Sequence, residues 1–220
     1  MIGSEAYIAE SFQNIHDIIT RGLKVSIENV KIFSHQGFID RNKTNGYFNY
    51  VQSLTAVLKA HHLIEDEVAF PYFREKIPHA PFTALTQTHH VIVHILSEIE
   101  SSLKGREEDQ PTAMLHTLED SLLRMNDLWN PHIRVETSEF IAKADDLVSV
   151  EERLRLVGLF TEYGQKYALP PFLTVPFMLF NLPLDQREAF SRNMPAELTQ
   201  NLVPIVWKEQ WVSMKPFLLD

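Results

Sequence analysis

Apolar residues recur at spacings of three and four along four long stretches of the chain. Ile8, Phe12, Ile15, Ile19, Leu23, Ile27 and Val30 trace the first, over about residues 5–34, as one face of an amphipathic helix does. Gln36-Gly37 and the run Asn42 to Gly46 are turn-rich and separate it from a second helix. That helix is predicted from about Tyr47 to Glu75, with Leu54, Leu58, His61, Glu65, Val68 and Tyr72 on one face. Pro71 predicts a kink in its last turns, and Pro78 and Pro81 its stop. A third helix, from Pro81 or Phe82 to about Leu103, carries Leu85, Ile92, Ile95, Leu96 and Ile99. After the charged loop Lys104 to Gln110, Pro111 suits the first turn of a fourth. Its face reads Leu115, Leu118, Leu122, Met125, Trp129, His132, Glu136 and Phe140, with a bend predicted at Pro131.

Four such helices with short connections predict an all-α fold, an antiparallel four-helix bundle over residues 1–147. Residues 148–220 read as a helical, Pro/Phe-rich C-terminal extension packed on the bundle. It begins with a helix over 149–166, passes through Pro170-Pro171-Phe172 and Pro176-Phe177, and ends in two short helical pieces near 184–193 and 195–213.

Composition narrows the chemistry. With 45% apolar and 22% charged residues the chain is an ordinary globular sequence. No cysteine is present, which excludes disulfides, thiolate metal sites and a cysteine nucleophile. A net charge of -9 argues against nucleic acid as the main partner. The first residues lack a basic start and apolar run, and Ala168 to Leu182 is too short and too proline-broken to span a bilayer. The expectation is a cytoplasmic protein with no membrane partner.

The polar residues on the apolar stripes carry the functional signal. His61 and Glu65 are four apart, which places both on one helical face, and His132 and Glu136 repeat the spacing. His90 and His94 are also four apart, and His16 lies within the first stripe between Phe12 and Ile19. His89 competes with His90, since a small change of helix phase exchanges them; the spacing to His94 favours His90. His62 reads as a residue at the bundle edge or one supporting a ligand, and His35, His79 and His116 as solvent or loop residues. Asp66, Glu67 and Glu139 read as solvated carboxylates, or as acceptors for the free N–H of a ligating imidazole.

A lone inward histidine is most often a hydrogen-bonded core residue. Five imidazoles and two carboxylates on four converging helices are more than such a core needs, and more than one metal needs. Two six-coordinate metals bridged by both carboxylates and one oxygen leave six positions, of which five histidines fill five. The sixth would take a small ligand. Imidazole with carboxylate suits iron or manganese better than calcium or magnesium.

The ligand order, the two His-x-x-x-Glu elements and the phrase His-Leu-Ile-Glu-Asp-Glu-Val-Ala-Phe-Pro resemble the hemerythrin-like family of HHE cation-binding domains, over about residues 5–145. That resemblance implies two iron ions, with manganese or another divalent metal as the alternative. It assigns His90, His94 and His132 to one iron, His16 and His61 to the other, and makes Glu65 and Glu136 the bridges. Phe177 to Phe180 and Trp207 to Phe217 resemble the C-terminal extension of fungal members. The oxygen carriers of the family have an aspartate five residues after the fourth-helix histidine; here that position is Thr137. The implied function is a non-haem di-iron protein that binds dioxygen or a related small oxidant. It becomes an oxidase or oxygenase if a substrate reaches the oxidant. The other reading is an iron or oxygen sensor, or an iron-holding protein, whose extension binds a protein partner.

Overall fold

Helix α1 runs Ile8–Gln36 and stops where Gly37 adopts a φ of 71°, a left-handed conformation that glycine enters without penalty. The computed structural model describes residues 7–37, 40–104, 111–192 and 194–220, without the side chains of 111 and 112. The charged loop expected between the third and fourth helices lies outside the described residues.

Helix α2 begins at Arg41, earlier than expected. The carboxylate of Asp40 accepts from the backbone N–H of Lys43 at 2.8 Å, capping a first turn made of the residues read above as a loop. Gly46 sits inside this helix because the chain needs its bareness: a Cβ there would collide with the carbonyl oxygen of Ser213. The α-helical pattern lasts to Ile64. Glu65–Ala69 form a π turn, in which Phe70 N–H donates to the Glu65 carbonyl, and Phe70–Phe73 complete the helix. Where a kink was expected at Pro71, the chain instead widens by one residue just before it. The wider turn absorbs the missing proline donor.

Helix α3 spans Phe82–Lys104 and α4 spans Pro111–Glu136. Pro131 is carried within α4, and a second π turn, Thr137–Ile141, follows Glu136. The chain continues through Ala142–Ala144 into a 3-10 turn, Asp145–Leu147. There the Asp145 carboxylate accepts from the backbone N–H groups of Ile8 and Ala9, at 2.9 and 3.0 Å. It satisfies the open start of α1, to which Tyr7 gives no side-chain cap.

The four helices form an antiparallel bundle in which α1 packs on α2 and α4, and α3 packs on α2 and α4. Helix α5, Val150–Tyr167, starts with a reciprocal Ser149–Glu152 capping box. Helices α6, Pro171–Phe180, and α7, Leu184–Ser191, follow, then a π segment Leu198–Val206, helix α8 at Lys208–Trp211 and a 3-10 turn Val212–Phe217. Helices α5 and α6 and the last turn all lie along α2. Among the described residues no helix is long and apolar enough to cross a membrane.

Two apolar clusters fill the interior. One holds Ile18, Leu54, Leu58, Ile92 and Trp129 together with Phe177, Met214 and Phe217 of the extension. The other holds Ile8, Phe12, Phe70, Phe73, Leu85, Phe140 and Phe160. On every bundle helix a buried polar residue falls between the two.

Candidate metal centre

The polar layer is made by consecutive turns of the bundle helices. His16 comes from α1, His61, His62 and Glu65 from α2, His89 from α3, and His132 and Glu136 from α4, and all seven are buried. Their ligating atoms fall into two groups, within each of which the atoms lie within 4.8 Å of one another. His16, His61, Glu65 and Glu136 make the first; His62, Glu65, His89 and His132 make the second. Glu65 belongs to both.

The contacts within the layer are short. His16 Nε2 lies 3.2 Å from His61 Nε2 and 3.3 Å from Glu136 Oε2. His61 Nε2 lies 3.2 Å from Glu65 Oε1. On the other side, His89 Nε2 lies 3.0 Å from His132 Nε2 and 3.4 Å from Glu65 Oε2. His132 Nε2 is 3.7 Å from Glu136 Oε2. The His62 ring stacks on His89, with centroids 4.0 Å apart and planes 14° apart.

Two of the expected site residues stand apart from this layer. His90 and His94 lie on the outer face of α3: His94 is 77% exposed and pairs with Glu98 at 3.4 Å. The buried stripe of α3 is Phe82, Leu85, His89, Ile92, Leu96 and Ile99, at alternating three- and four-residue steps. His89 lies on that stripe and His90 falls about 100° off it. His62, expected at the bundle edge or in support of a ligand, is inside, 2% exposed. The structure brings together the other five expected residues, His16, His61, Glu65, His132 and Glu136. The signal for His62 was available in the sequence: it sits three residues before Glu65, on the same side of α2. His35, His79 and His116 are exposed.

Burial sets the protonation of the layer. It pushes His61 and His62 well below the ordinary imidazole value, and the neighbouring imidazoles push them further. It lowers His132 to about 4. Neutral rings offer free lone pairs. Burial and the facing Glu136 push Glu65 well above the ordinary carboxyl value. Burial works the same way on Glu136, but contact with His16 outweighs it and holds that carboxyl low. Burial and contact thus push the two carboxyls apart, Glu65 towards the protonated form and Glu136 towards the ionised one. Asp66, at the margin, is raised by burial but more strongly lowered by His89 and Thr86.

Many of these atoms have no hydrogen-bond partner. All four carboxylate oxygens of Glu65 and Glu136, both nitrogens of His62, and Nδ1 of His16, His89 and His132 are buried without an aligned hydrogen-bond partner. Native interiors leave few such groups, and each costs about 1–3 kcal/mol. Nine in one layer, all oxygen or imidazole nitrogen, form a donor set that fits cations. A protein-only network leaves them unexplained.

The hemerythrin HHE cation-binding domain model matches residues 11–144. The chain belongs to that family. No curated protein and no solved structure matches it. The family match covers the bundle and both His-x-x-x-Glu turns and stops just before the extension. An HHE domain implies a bound metal cation, and the two His/Glu groups could hold metal.

The walls of the centre are aromatic. Phe12 packs edge-on against His16 and His61. Trp129 lies against His16, His61, His62 and His132, and its indole N–H donates to Thr20 Oγ1 at 2.9 Å. Phe12 is in turn packed by Phe140 and by Phe160 of α5. Tyr50, by contrast, meets the extension and Tyr72 bonds Glu152.

Proposed function

We propose that this protein holds two metal ions, iron in the first instance, and that the pair binds dioxygen or a related small oxidant. His16 and His61 would hold one ion and His62, His89 and His132 the other, with Glu65 and Glu136 between them. The observation that carries this reading is the buried layer of five imidazoles and two carboxylates with nine unsatisfied atoms. Iron bound there supplies one-electron redox chemistry and a coordination position for the oxidant.

The chain's own residues define what reaches that position. The first pocket has one imidazole fewer than the second, so it is the side with room for an added ligand. Phe12 covers it, and Phe140 and Phe160 lie behind Phe12. A dry aromatic cover favours small neutral molecules over anions, because an anion would have to shed its water. The same cover disfavours bulk solvent and large substrates. This supports storage or sensing of the oxidant above oxidation of a separate substrate. Because Phe160 belongs to α5, the extension contributes to the pocket wall, which weighs against a tail that serves only a protein partner. The setting proposed is cytoplasmic, with no nucleic acid involved.

Metal analysis of the purified protein, joined to optical spectra of its reduced form with and without oxygen, tests the reading. Two irons per chain and a visible band that fades when oxygen is removed support it. A transient band that decays to a ferric product supports oxidation instead. Absence of metal after anaerobic loading removes the proposal.

A further inference from the structure

We infer that Asp66 and Thr86 are positioning residues that clamp His89 for the second metal pocket and make that pocket the tighter of the two. The inference rests on the metal-binding reading above and adds what distinguishes its two halves.

The clamp is built from three side chains on two helices. His89 presents Nε2 to the centre, 3.4 Å from Glu65 Oε2. Its other nitrogen, Nδ1, lies 3.0 Å from Asp66 Oδ2. Thr86, three residues before His89 on α3, donates its hydroxyl to Asp66 Oδ1 at 2.6 Å. Asp66 is thus fixed from α3 while it fixes a ring of α3. Successive carboxylates of α2, Glu65 and Asp66, approach the two nitrogens of one imidazole. The π turn Glu65–Ala69 makes this practical. It spreads more residues over one turn than an α-helix does, so adjacent side chains diverge less and both can face α3.

The chemistry follows from the tautomer. A ring that ligates through Nε2 must carry its proton on Nδ1, and a carboxylate at 3.0 Å favours the proton there and raises the donor strength of Nε2. Among the described residues no carboxylate pairs with Nδ1 of His16, His62 or His132; His16 and His132 meet theirs through Nε2. The second pocket therefore has three imidazoles, one of them clamped, whereas the first has two. The ions should bind in order, second pocket first.

The test is titration of the full-length metal-free protein with cobalt(II) against a chromophoric chelator, read by the visible spectrum, with urea unfolding of the metal-free form alongside. Wild type should take up two ions. Asp66→Asn should weaken the first ion to bind by about 10–100-fold and alter its spectrum. The other ion should be unaffected, and the urea midpoint nearly unchanged. Thr86→Val, which leaves the carboxylate in place but unanchored, should weaken the same ion less; it also carries the test if Asp66→Asn does not fold. His94→Ala, on the outer face, should behave as wild type. Equal weakening of both ions, no change in either, or a loss that only tracks unfolding would overturn the inference. Failure of wild type to bind cobalt would instead count against the metal-binding reading itself.

Discussion

Seven titratable side chains share one buried layer. The histidines fix how the metal-free protein responds to acid. His61, His62 and His132 are held below their ordinary value of 6.5 in the folded chain. Below that pH the unfolded chain takes up protons that the folded chain refuses, so folding stability falls as pH falls. Glu65 acts in the opposite sense. Its raised pKa stabilises the folded chain most below 4.5, and that contribution is lost as pH rises. Between pH 7.5 and 5.5 three histidines, each worth up to about 1.4 kcal/mol per pH unit, outweigh one carboxyl. The urea midpoint of metal-free protein should be lower at pH 5.5, by an amount equivalent to about 1 kcal/mol or more. An equal or higher midpoint would mean that the rings are already charged. Single residues also separate the two faces of α3. His89→Ala should remove one of two bound metals, whereas His90→Ala and His94→Ala should leave both, by metal analysis. This choice was legible in the sequence: Leu85, Ile92, Leu96 and Ile99 fix a phase that admits position 89 and excludes 90. Pairing His90 with His94 by spacing alone ignored the apolar residues around them.

At the scale of elements, apolar periodicity located every bundle helix, because each buries a continuous stripe. It could not locate the π turns. Periodicity assumes one residue step throughout, and a π turn changes that step for a single turn. One π turn begins at Glu65 and the other immediately after Glu136, so both buried carboxylates sit where the helix changes pitch. Such turns are frequent at functional sites. Here they let the stripe above the metal layer and the stripe below it each meet their own apolar cluster. The early start of α2 was hidden for another reason. Asn42 to Gly46 has the composition of a loop, and only the distant Ser213 explains why a glycine belongs in that helix. Gly46→Ala should therefore force the 3-10 turn Val212–Phe217 off α2. Overpacking of this kind costs about 1–3 kcal/mol. A lower melting temperature with faster proteolysis near the C-terminus is expected, with metal content retained. An unchanged melting temperature would show that the last turn moves aside freely.

Across the whole molecule, the extension and the bundle share one interior. Phe177 packs on Tyr50 with ring centroids 4.9 Å apart, and it stands where a side chain on Gly22 would be. Arg21 donates to Asn181 Oδ1, to the Tyr50 hydroxyl at 3.3 Å and to the Phe217 carbonyl at 3.0 Å. Tyr50 donates to the same Asn181 oxygen at 2.7 Å. One cation of α1 thus ties α2, the end of α6 and the last turn together. The sequence announced a helical extension through its patterned Leu, Phe and Trp residues, but not this network, which joins bundle and extension residues more than a hundred positions apart. Phe177, Leu179, Leu182, Met214 and Phe217 are all buried. At about 1.5–3 kcal/mol for each such side chain, their burial is comparable with the 5–15 kcal/mol that stabilises a typical domain. Removing residues 148–220 would also strip Phe177 and Phe217 from Tyr50, and Phe160 from Phe12 beside the first pocket. A chain ending at Leu147 should therefore lose cooperative unfolding by circular dichroism, bind hydrophobic dye, and hold metal poorly even though every proposed ligand remains. If that shortened chain instead melts cooperatively near the full-length temperature with both metals bound, the extension is an appendage on a self-sufficient bundle, and its role must be sought on its outer face, where Leu184, Ile205 and Val206 are exposed.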